Sequence, residues 1–446
     1  MKNAFQASVM CTLAAGLLLA SPALARGGYR HAKPNGDSNH VTADKTGQLT
    51  TRSGLRLHLI TDIGNVKIKT QDSETVDYHV HLETEASGSE AKEMLENFVV
   101  ATRNTPDGVI LSGRAPQRHW GQRMWVTFEV SVPREYSVDV STEDGSIETG
   151  DLNGRAVLVT NGGNITAGNI SGSARVSTDG GNVVVKDVAE ELSVTTGGGN
   201  ISAGNVGGPA VLRTGGGMVR LGSVGGVGRI ETGAGNIYVG RSTAGLATST
   251  GGGQIEIGEA AGLVRAQTGG GGIRIVRSVG PTRLDTGSGM IYLTQAENAV
   301  HATTGAGGIT AWFGRDAKLS GPCRLEAGEG DIVVYLPKML AVTVDAQIEL
   351  GGNHRVIVDP AFPLKVTYGE ADEGGQAVRA EGSLNGGGSV LELRTVSGNI
   401  RLVLNDAENE KKQMELFQQE MEKLKRQLGV ELLKLKLPTP PPQNEP

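Results

Sequence analysis

An 18-residue repeat constrains the fold of this chain more than any other feature of its sequence. A threonine precedes each glycine cluster and recurs at a constant interval of 18 residues: Thr142, Thr160, Thr178, Thr196, Thr214, Thr232, Thr250, Thr268, Thr286 and Thr304. A unit of this length is too short to bury an apolar face by itself, so the units must stack on one another. Without a period, 67 glycines and 4% aromatic residues would be typical of a low-complexity chain.

Two columns inside the repeat indicate how each unit folds. The third residue after the threonine is always glycine, which is typical of positive φ or of a crowded turn. The fifth residue is always isoleucine or valine, which strand interiors prefer. The glycine column includes Gly163, Gly181, Gly199, Gly217, Gly235, Gly253 and Gly271, and the apolar column includes Ile165, Ile201, Ile237, Ile255 and Ile273.

Alternation of apolar and polar residues predicts two short strands in each unit, one beside the apolar column and one ending at the threonine. Stacked units of this kind predict an all-β fold, a single-stranded parallel β-solenoid with 18-residue coils. At about 4.8 Å per coil, ten coils would form a rod of roughly 50 Å. A β-propeller is disfavoured because each blade needs about 40 residues.

The N-terminus has the pattern of an export signal. Lys2 precedes an apolar run over residues 9–20, and Ala23-Leu24-Ala25 is typical of a cleavage site. The run is shorter than the ~20 residues of a membrane span. We therefore expect an exported protein of the periplasm, the cell surface or the medium, without a transmembrane span.

Composition divides the chain further. We predict a signal peptide (1–25), a flexible linker (26–53), an N-terminal β-rich capping region (54–140), regular 18-residue coils (141–314), irregular C-terminal coils (315–405), an amphipathic helix (406–437) and a proline-rich tail (438–446). The repeat motif returns after a five-residue insertion if Ala327 replaces the threonine. This register places Cys323 on the inward face, where it behaves as a small apolar residue.

The C-terminal helix carries an apolar stripe with the 3-4 spacing of a short coiled coil, formed by Met414, Phe417, Met421, Leu424 and Leu428. Two interpretations remain open. The segment 407–437 forms a homo-oligomer, or the helix folds back over the last coil.

Charge and motifs disfavour several classes of protein. Removal of Lys2 with the signal leaves 41 basic residues against 48 acidic ones, a net charge of −7 and no basic stripe for nucleic acid. The repeats lack the turn carboxylates of calcium-binding nonapeptides, so no metal or other cofactor is expected. Asn164, Asn182, Asn200 and Asn236 precede the apolar column, and we interpret them as hydrogen-bonded turn residues.

Catalytic residues are not evident, and we expect no enzyme. Glycoside cleavage needs two carboxyl groups about 5–9.5 Å apart. The outward acids Glu231, Glu256 and Asp285 are instead scattered among arginines, as on a solvated face. A candidate ligand-binding site lies in the segment 113–125, where arginine and tryptophan occur together. Its residues are Arg118, His119, Trp120 and Arg123.

These columns resemble those of the bacterial β-strand-repeat "putative adhesin" family of exported proteins. The resemblance covers residues 54–405 and rests on segments 130–147 and 386–402 and on the TxGGNI-type coils between them. It implies a right-handed solenoid in the envelope or outside the cell, and no catalytic residues. We therefore expect a noncatalytic adhesin-like or envelope scaffold protein that binds an envelope or host-surface polysaccharide or protein. The alternative is a carbohydrate-active β-solenoid enzyme that acts on envelope or extracellular polysaccharide.

Overall fold

The computed structural model describes residues 28–30, 40–115, 124–372 and 375–429. The predicted signal peptide and proline-rich tail lie outside the described residues. Two long sheets, A and B, and two helices make up the described part of the chain.

Sheet A contains the repeat strands that begin at the apolar column, together with strands from the regions before and after the repeats. They are β1 (Gly28–Arg30), β2 (Val41–Thr50), β4 (Asn65–Gln71), β5 (Thr75–Thr84), β8 (Met124–Pro133), β10 (Ile147–Thr149), β12 (Ile165–Ala167), β14 (Val183–Val185), β16 (Ile201–Val206), β18 (Val219–Val224), β20 (Ile237–Ser242), β22 (Ile255–Ala260), β24 (Ile273–Ser278), β26 (Ile291–Ala296), β28 (Ile309–Phe313), β30 (Ile332–Pro337), β32 (Val356–Val358) and β36 (Ile400–Asn405).

Sheet B contains the repeat strands that end at or just beyond the threonine column, together with strands from the regions before and after the repeats. They are β3 (Arg56–Ile63), β6 (Val99–Thr105), β7 (Gly108–Arg114), β9 (Ser137–Asp144), β11 (Ala156–Thr160), β13 (Ala174–Thr178), β15 (Leu192–Thr196), β17 (Ala210–Thr214), β19 (Gly228–Thr232), β21 (Leu246–Thr250), β23 (Val264–Thr268), β25 (Thr282–Thr286), β27 (Val300–Ala306), β29 (Cys323–Glu329), β31 (Val342–Ile348), β33 (Lys365–Asp372), β34 (Gly375–Leu384) and β35 (Ser389–Ser397). The helices are α1 (Gly88–Asn97) and α2 (Ala407–Leu428).

Most neighbouring strands in both sheets are parallel, and in the repeats each residue pairs with the residue one repeat later. Ile165 pairs with Val183, and Val183 pairs with Ile201. We call one passage of the chain through both sheets a coil. The inward side chains of the two sheets meet in one continuous core, in which Ile165 and Ile201 are completely buried. Two long parallel sheets of this kind are consistent with the predicted β-solenoid.

The glycine column is explained by crowding between coils. A Cβ atom on Gly199 would lie 2.0 Å from the carbonyl oxygen of Gly181, the equivalent residue of the preceding coil. The buried threonine forms hydrogen bonds that stabilise the same corner. The Thr196 hydroxyl donates to the Gly181 carbonyl at 2.9 Å and accepts from the Gly199 N–H at 3.2 Å. Stacked coils therefore require glycine at this corner, and the threonine adds hydrogen bonds that join one coil to the next.

The asparagine column forms a ladder beside this corner, as predicted, although the partner is backbone. The Asn164 side-chain oxygen accepts the N–H of Asn182 at 2.8 Å, and the Asn182 oxygen accepts the N–H of Asn200 at 2.9 Å. The Asn236 oxygen likewise accepts the N–H of Gln254 at 2.8 Å. These side chains serve to join coils.

The N-terminal region differs from the prediction, because its strands belong to the same two sheets as the repeats. β3 lies between β7 and β9, and β4 lies between β8 and β10. Thr61, Gly64 and Val66 occupy the threonine, glycine and apolar columns, and the Asn65 oxygen accepts the Ser146 N–H at 2.8 Å. This copy of the motif was missed because it does not lie a whole number of repeats before Thr142.

The linker predicted for residues 26–53 is wrong over residues 41–50. These residues form β2, which pairs with β5 along its whole length in antiparallel orientation. Pairing with β5 satisfies the backbone hydrogen-bonding groups of this segment. β1, β2 and β5 therefore extend sheet A beyond the first coil.

The C-terminal end is also built out of chain order. β35 lies between β29 and β31, and β36 lies between β30 and β32. The predicted register holds here, because Ala327 pairs with Thr304 on one side and Thr395 on the other. Cys323 is completely buried, as expected.

The two helices pack in different places: α1 against the main core, and α2 on the outer face of sheet A. α1 buries Ala91, Met94 and Leu95 against β2 and β5, near the N-terminal end. α2 begins after Asp406, whose side chain accepts the Asn409 N–H, and ends before Gly429 at φ 84°. The remainder of the predicted helix lies outside the described residues. Within the part of the chain that the structure describes, neither helix is long and apolar enough to cross a membrane.

Candidate functional site

Helix α2 covers the outer face of sheet A. It starts at β36 and packs against β26, β24, β22, β20 and finally β18, so its axis runs across the strands. Its 22 residues span about 33 Å at 1.5 Å per residue. The seven coil steps from β36 back to β18 span nearly the same length at about 4.8 Å each. Helix and sheet therefore match along the whole contact.

Polar contacts anchor the helix from end to end. From its N-terminus to its C-terminus they are Arg315 with Glu410, Gln413 with the Thr294 carbonyl, Arg274 with Glu420, Lys423 with Glu256, and Arg220 with the Gln427 carbonyl. These contacts are spread over both ends and the middle of α2, so they define the position of the helix along the sheet.

An apolar seam completes the contact near the end of α2. Leu424 and Leu428 are buried with Tyr238 and packed against Met218. A Cβ atom on Gly258 would lie 2.9 Å from Leu424 Cδ2, so glycine at this position makes room for the leucine. Three residues of the predicted coiled-coil stripe, Met421, Leu424 and Leu428, are thus buried within the chain along sheet A. Whether the segment 407–437 also joins two copies stays a prediction.

Among the described residues no helix covers the outer face of sheet B in the repeats, and this face is the candidate functional site. Two outward columns run along it in strict register. The first contains Arg229, Ala247, Arg265 and Arg283, and the second contains Glu231, Ser249, Gln267 and Asp285. Parallel pairing places successive members of a column about 4.8 Å apart. The face therefore displays a regular array of charged groups on a rigid sheet.

Small side chains make a depression in this face. Ala247 and Ser249 occupy both columns of one coil, whereas the neighbouring coils carry arginines. The result is a shallow hollow of about 620 Å³, which Arg229, Glu231, Arg265 and other residues of these coils line. A hollow of this shape suits an extended ligand that lies along the face.

Most charged side chains around the depression form ion pairs with one another. Glu231 accepts from Arg213 at 2.9 Å and from Arg229 at 2.6 Å, and Arg283 pairs with Asp285 at 2.9 Å. The hydrogen bond from Arg213 lowers the pKa of Glu231, burial opposes it, and Arg229 adds to the lowering, so this acid stays ionised.

Arg265 differs from its neighbours. Among the described residues it has no carboxylate partner within ion-pair distance, although Arg283 stands beside it in the same column. A guanidinium offers five N–H donors in a planar fork that suits carboxylate and phosphate oxygens. The hollow therefore combines a free guanidinium with paired charges around it, an arrangement suited to an acidic ligand.

A family comparison agrees with this architecture. The family model described as Toastrack DUF4097 matches residues 56–403. The chain belongs to this family. The match confirms the resemblance inferred from the repeat columns, and no curated protein matches the chain.

Two solved structures are similar to this Toastrack protein. One is described as a "putative cell adhesion protein" from Clostridium sporogenes, at 8% identity and a TM-score of 0.17, over 81% of this chain and 98% of that one. The other is described as a "putative adhesin" from Bacteroides fragilis, at 13% identity and a TM-score of 0.26, over 58% of this chain and 97% of that one.

The ligand-binding residues predicted in the segment 113–125, namely Arg118, His119, Trp120 and Arg123, lie outside the described residues. At the described end of this segment, Trp125 is 47% exposed, and its ring stacks on His40 at 5.5 Å. Whether the segment binds a ligand stays a prediction.

The outward acids Glu231, Glu256 and Asp285 do not lie close to one another in this Toastrack protein. Glu231 and Asp285 lie on sheet B, three coils apart, which is about 14 Å. Glu256 lies on sheet A beneath α2. Burial raises the pKa of the Cys323 thiol to about 11, so it is a poor nucleophile at neutral pH.

The sequence revealed the arginines of sheet B but not the hollow between them. Its signal was present as Ala247 and Ser249, two small residues at outward positions where other coils carry long ones. One group of side chains among the described residues lies close enough to hold a metal ion, and it belongs to the N-terminal strands of sheet A: Asp44, His79 and His81.

Proposed function

We propose that this Toastrack protein is a noncatalytic, exported β-solenoid of the adhesin or envelope-scaffold type that binds acidic polysaccharide along sheet B. The right-handed 18-residue coil and the export signal at residues 1–25 are part of this proposal. The observation that carries it is the open hollow around Arg265, whose guanidinium has no acidic partner among the described residues.

The geometry supports an extended ligand. Arg229, Arg265 and Arg283 lie in one column, so their spacing follows the coil interval of about 4.8 Å. A polysaccharide that lies along this column can place one acidic group at Arg265 and further groups at the neighbouring coils. The proposal does not include hydrolysis, because Glu231 and Asp285 are about 14 Å apart, farther than the ~5–9.5 Å between the two carboxyl groups that cleave a glycosidic bond.

The test measures binding and bond cleavage together. The purified full chain is titrated with polygalacturonate and, as a neutral control, with dextran, and released reducing ends are assayed in the same samples. We expect polygalacturonate to bind without release of reducing ends, and salt to weaken binding because the contacts are exposed charges. Release of reducing ends would instead favour the carbohydrate-active enzyme.

A pair of variants locates the site. Arg265→Ala should weaken binding at least tenfold, because a hydrogen bond to a charged group contributes about 1.5–3 kcal/mol. The matched control is Arg175→Ala, an exposed arginine of the same column that lies five coils, or about 24 Å, from Arg265. Equal losses in the two variants would contradict a localised site and indicate a diffuse charge effect.

A further inference from the structure

The outer face of the N-terminal strands carries a cluster of histidines that the polysaccharide site does not use. His79 and His81 are two residues apart on β5, so both side chains point to the same face of sheet A. Asp44 on the neighbouring strand β2 lies directly opposite His81 in the antiparallel register. Three side chains with metal-binding atoms thus meet on two paired strands.

The distances between these atoms are short. His79 Nε2 and His81 Nδ1 each lie 2.8 Å from the same oxygen, Asp44 Oδ1. The three atoms lie within 4.8 Å of one another, and the imidazole rings are inclined at 65°. Partial burial alone would raise the pKa of Asp44, but the hydrogen bonds and charges of His81 and His79 outweigh it and lower the pKa.

We propose that Asp44 Oδ1, His79 Nε2 and His81 Nδ1 form a binding site for a divalent first-row transition-metal ion such as Zn²⁺. Imidazole nitrogen and carboxylate oxygen are the ligands that Zn²⁺ accepts alongside thiolate. Tetrahedral bonds of about 2.1 Å separate neighbouring ligand atoms by about 3.4 Å. The two Asp44–imidazole distances of 2.8 Å would each lengthen by about 0.6 Å on metal binding.

The surroundings leave a coordination position open. All three side chains are between one third and one half exposed, so the fourth position faces solvent. Glu129 lies directly across from His79 on β8, the other neighbour of β5, where Lys69 approaches it at 3.9 Å. Three protein ligands and a solvent position are typical of zinc sites that exchange a water or a ligand.

Two other histidine–carboxylate pairs lack this geometry. His58 Nδ1 lies 3.2 Å from Asp139, and His40 lies near Glu83 and Glu85. Each contains a single histidine, so neither supplies a second imidazole to a shared ion. His58 therefore provides a matched control for the proposed site.

Metal bound here would link β2 to β5 at the end of sheet A. An ion that binds only the folded chain stabilises it, and the stabilisation rises with ion concentration. We expect Zn²⁺ to raise the unfolding temperature by several degrees, and the strands β2 and β5 to gain protection from hydrogen exchange.

The experiment uses the full chain without a polyhistidine tag, freed of metal with a chelator and titrated with Zn²⁺ by calorimetry. We expect one ion per chain from this site. The double variant His79→Ala/His81→Ala should lose that ion and the shift in unfolding temperature, whereas His58→Ala should keep both. Circular dichroism verifies that each variant is folded.

Titration with Co²⁺ adds a spectroscopic test, because the visible absorption of Co²⁺ reports its coordination. The spectrum of the wild-type chain should show bands that the double variant lacks. Unchanged Zn²⁺ stoichiometry in the double variant, or no binding to the wild-type chain, would overturn the proposal. Neither outcome depends on polysaccharide binding, so this site and the sheet B site are tested separately.

Discussion

The outer faces of sheets A and B come from the same coils but differ in what covers them. On sheet A, α2 lies across β18 to β36, and Tyr238 and Glu256 beneath it are 4% and 5% exposed. On sheet B, the side chains of Arg229 and Arg283 are each 60% exposed. An outward position in a repeat is therefore not always a surface position.

The presence or absence of a covering helix changes how strongly solvent screens the ion pairs of the two faces. Arg274 and Glu420 pair beneath α2 with side chains 33% and 17% exposed, where little solvent screens them. Arg283 and Asp285 pair at the same distance on the open face, with 60% and 34% exposed. The covered pair holds a helix in place, whereas the open pairs remain available to a ligand.

The largest expected effect is the loss of stability when the glycine corner that joins the two sheets is changed, because both outer faces depend on this corner. Gly199→Ala places a Cβ 2.0 Å from the Gly181 carbonyl oxygen and must push two coils apart. We expect it to destabilise the chain by about 3–5 kcal/mol, at the upper end of overpacking effects, as measured by urea unfolding.

The neighbouring glycine is the control for this change. Gly198→Ala meets no atom within 4 Å, so its free energy of unfolding should change by less than about 0.5 kcal/mol. If both variants lost a similar free energy of unfolding, backbone flexibility and not contact between coils would be the reason for glycine at this position.

The next effect tests whether α2 belongs to sheet A. Leu424→Ala empties the seam beside Tyr238 and should destabilise the chain by about 2–3 kcal/mol, the lower range for buried leucines. Gln418→Ala, on the exposed side of the same helix, should be nearly neutral. Thermal unfolding of the two variants measures the difference.

Light scattering on the full chain and on residues 1–405 separates packing from self-association. Equal monomeric masses are expected if the apolar stripe is satisfied by sheet A. A larger mass for the full chain alone would show that the segment 407–437 joins two copies.

The smallest effect compares one ion pair on each face. Arg274→Ala leaves Glu420 without its partner beneath the helix and should destabilise the chain by about 1–2 kcal/mol. Arg283→Ala removes an exposed pair and should change stability by less than about 0.5 kcal/mol. Urea unfolding at low and high salt measures both changes in stability. Equal losses of stability would mean that α2 does not shield its ion pair from solvent.

Several details of the fold followed from the sequence because coils stack in register. The position of Ala327 opposite Thr304 and the burial of Cys323 were predicted from the repeat alone. The candidate site was predicted less well. The arginines of sheet B were visible as outward residues, but the hollow at Ala247 and Ser249 depends on the heights of side chains in neighbouring coils.

The interior of the repeats was determined by the sequence because each residue packs against its own equivalent one coil later. Glycine, threonine and isoleucine columns are therefore both the sequence pattern and the contact pattern. Only the tertiary structure decided where the stacking of equivalent residues ends. β3 and β35 enter the sheets out of chain order, and α2 meets coils far back in the chain, since Arg220 binds the carbonyl of Gln427, 207 residues later. Such contacts join unlike segments whose complementarity appears only when both are folded, and they decide which face of the repeat stays open.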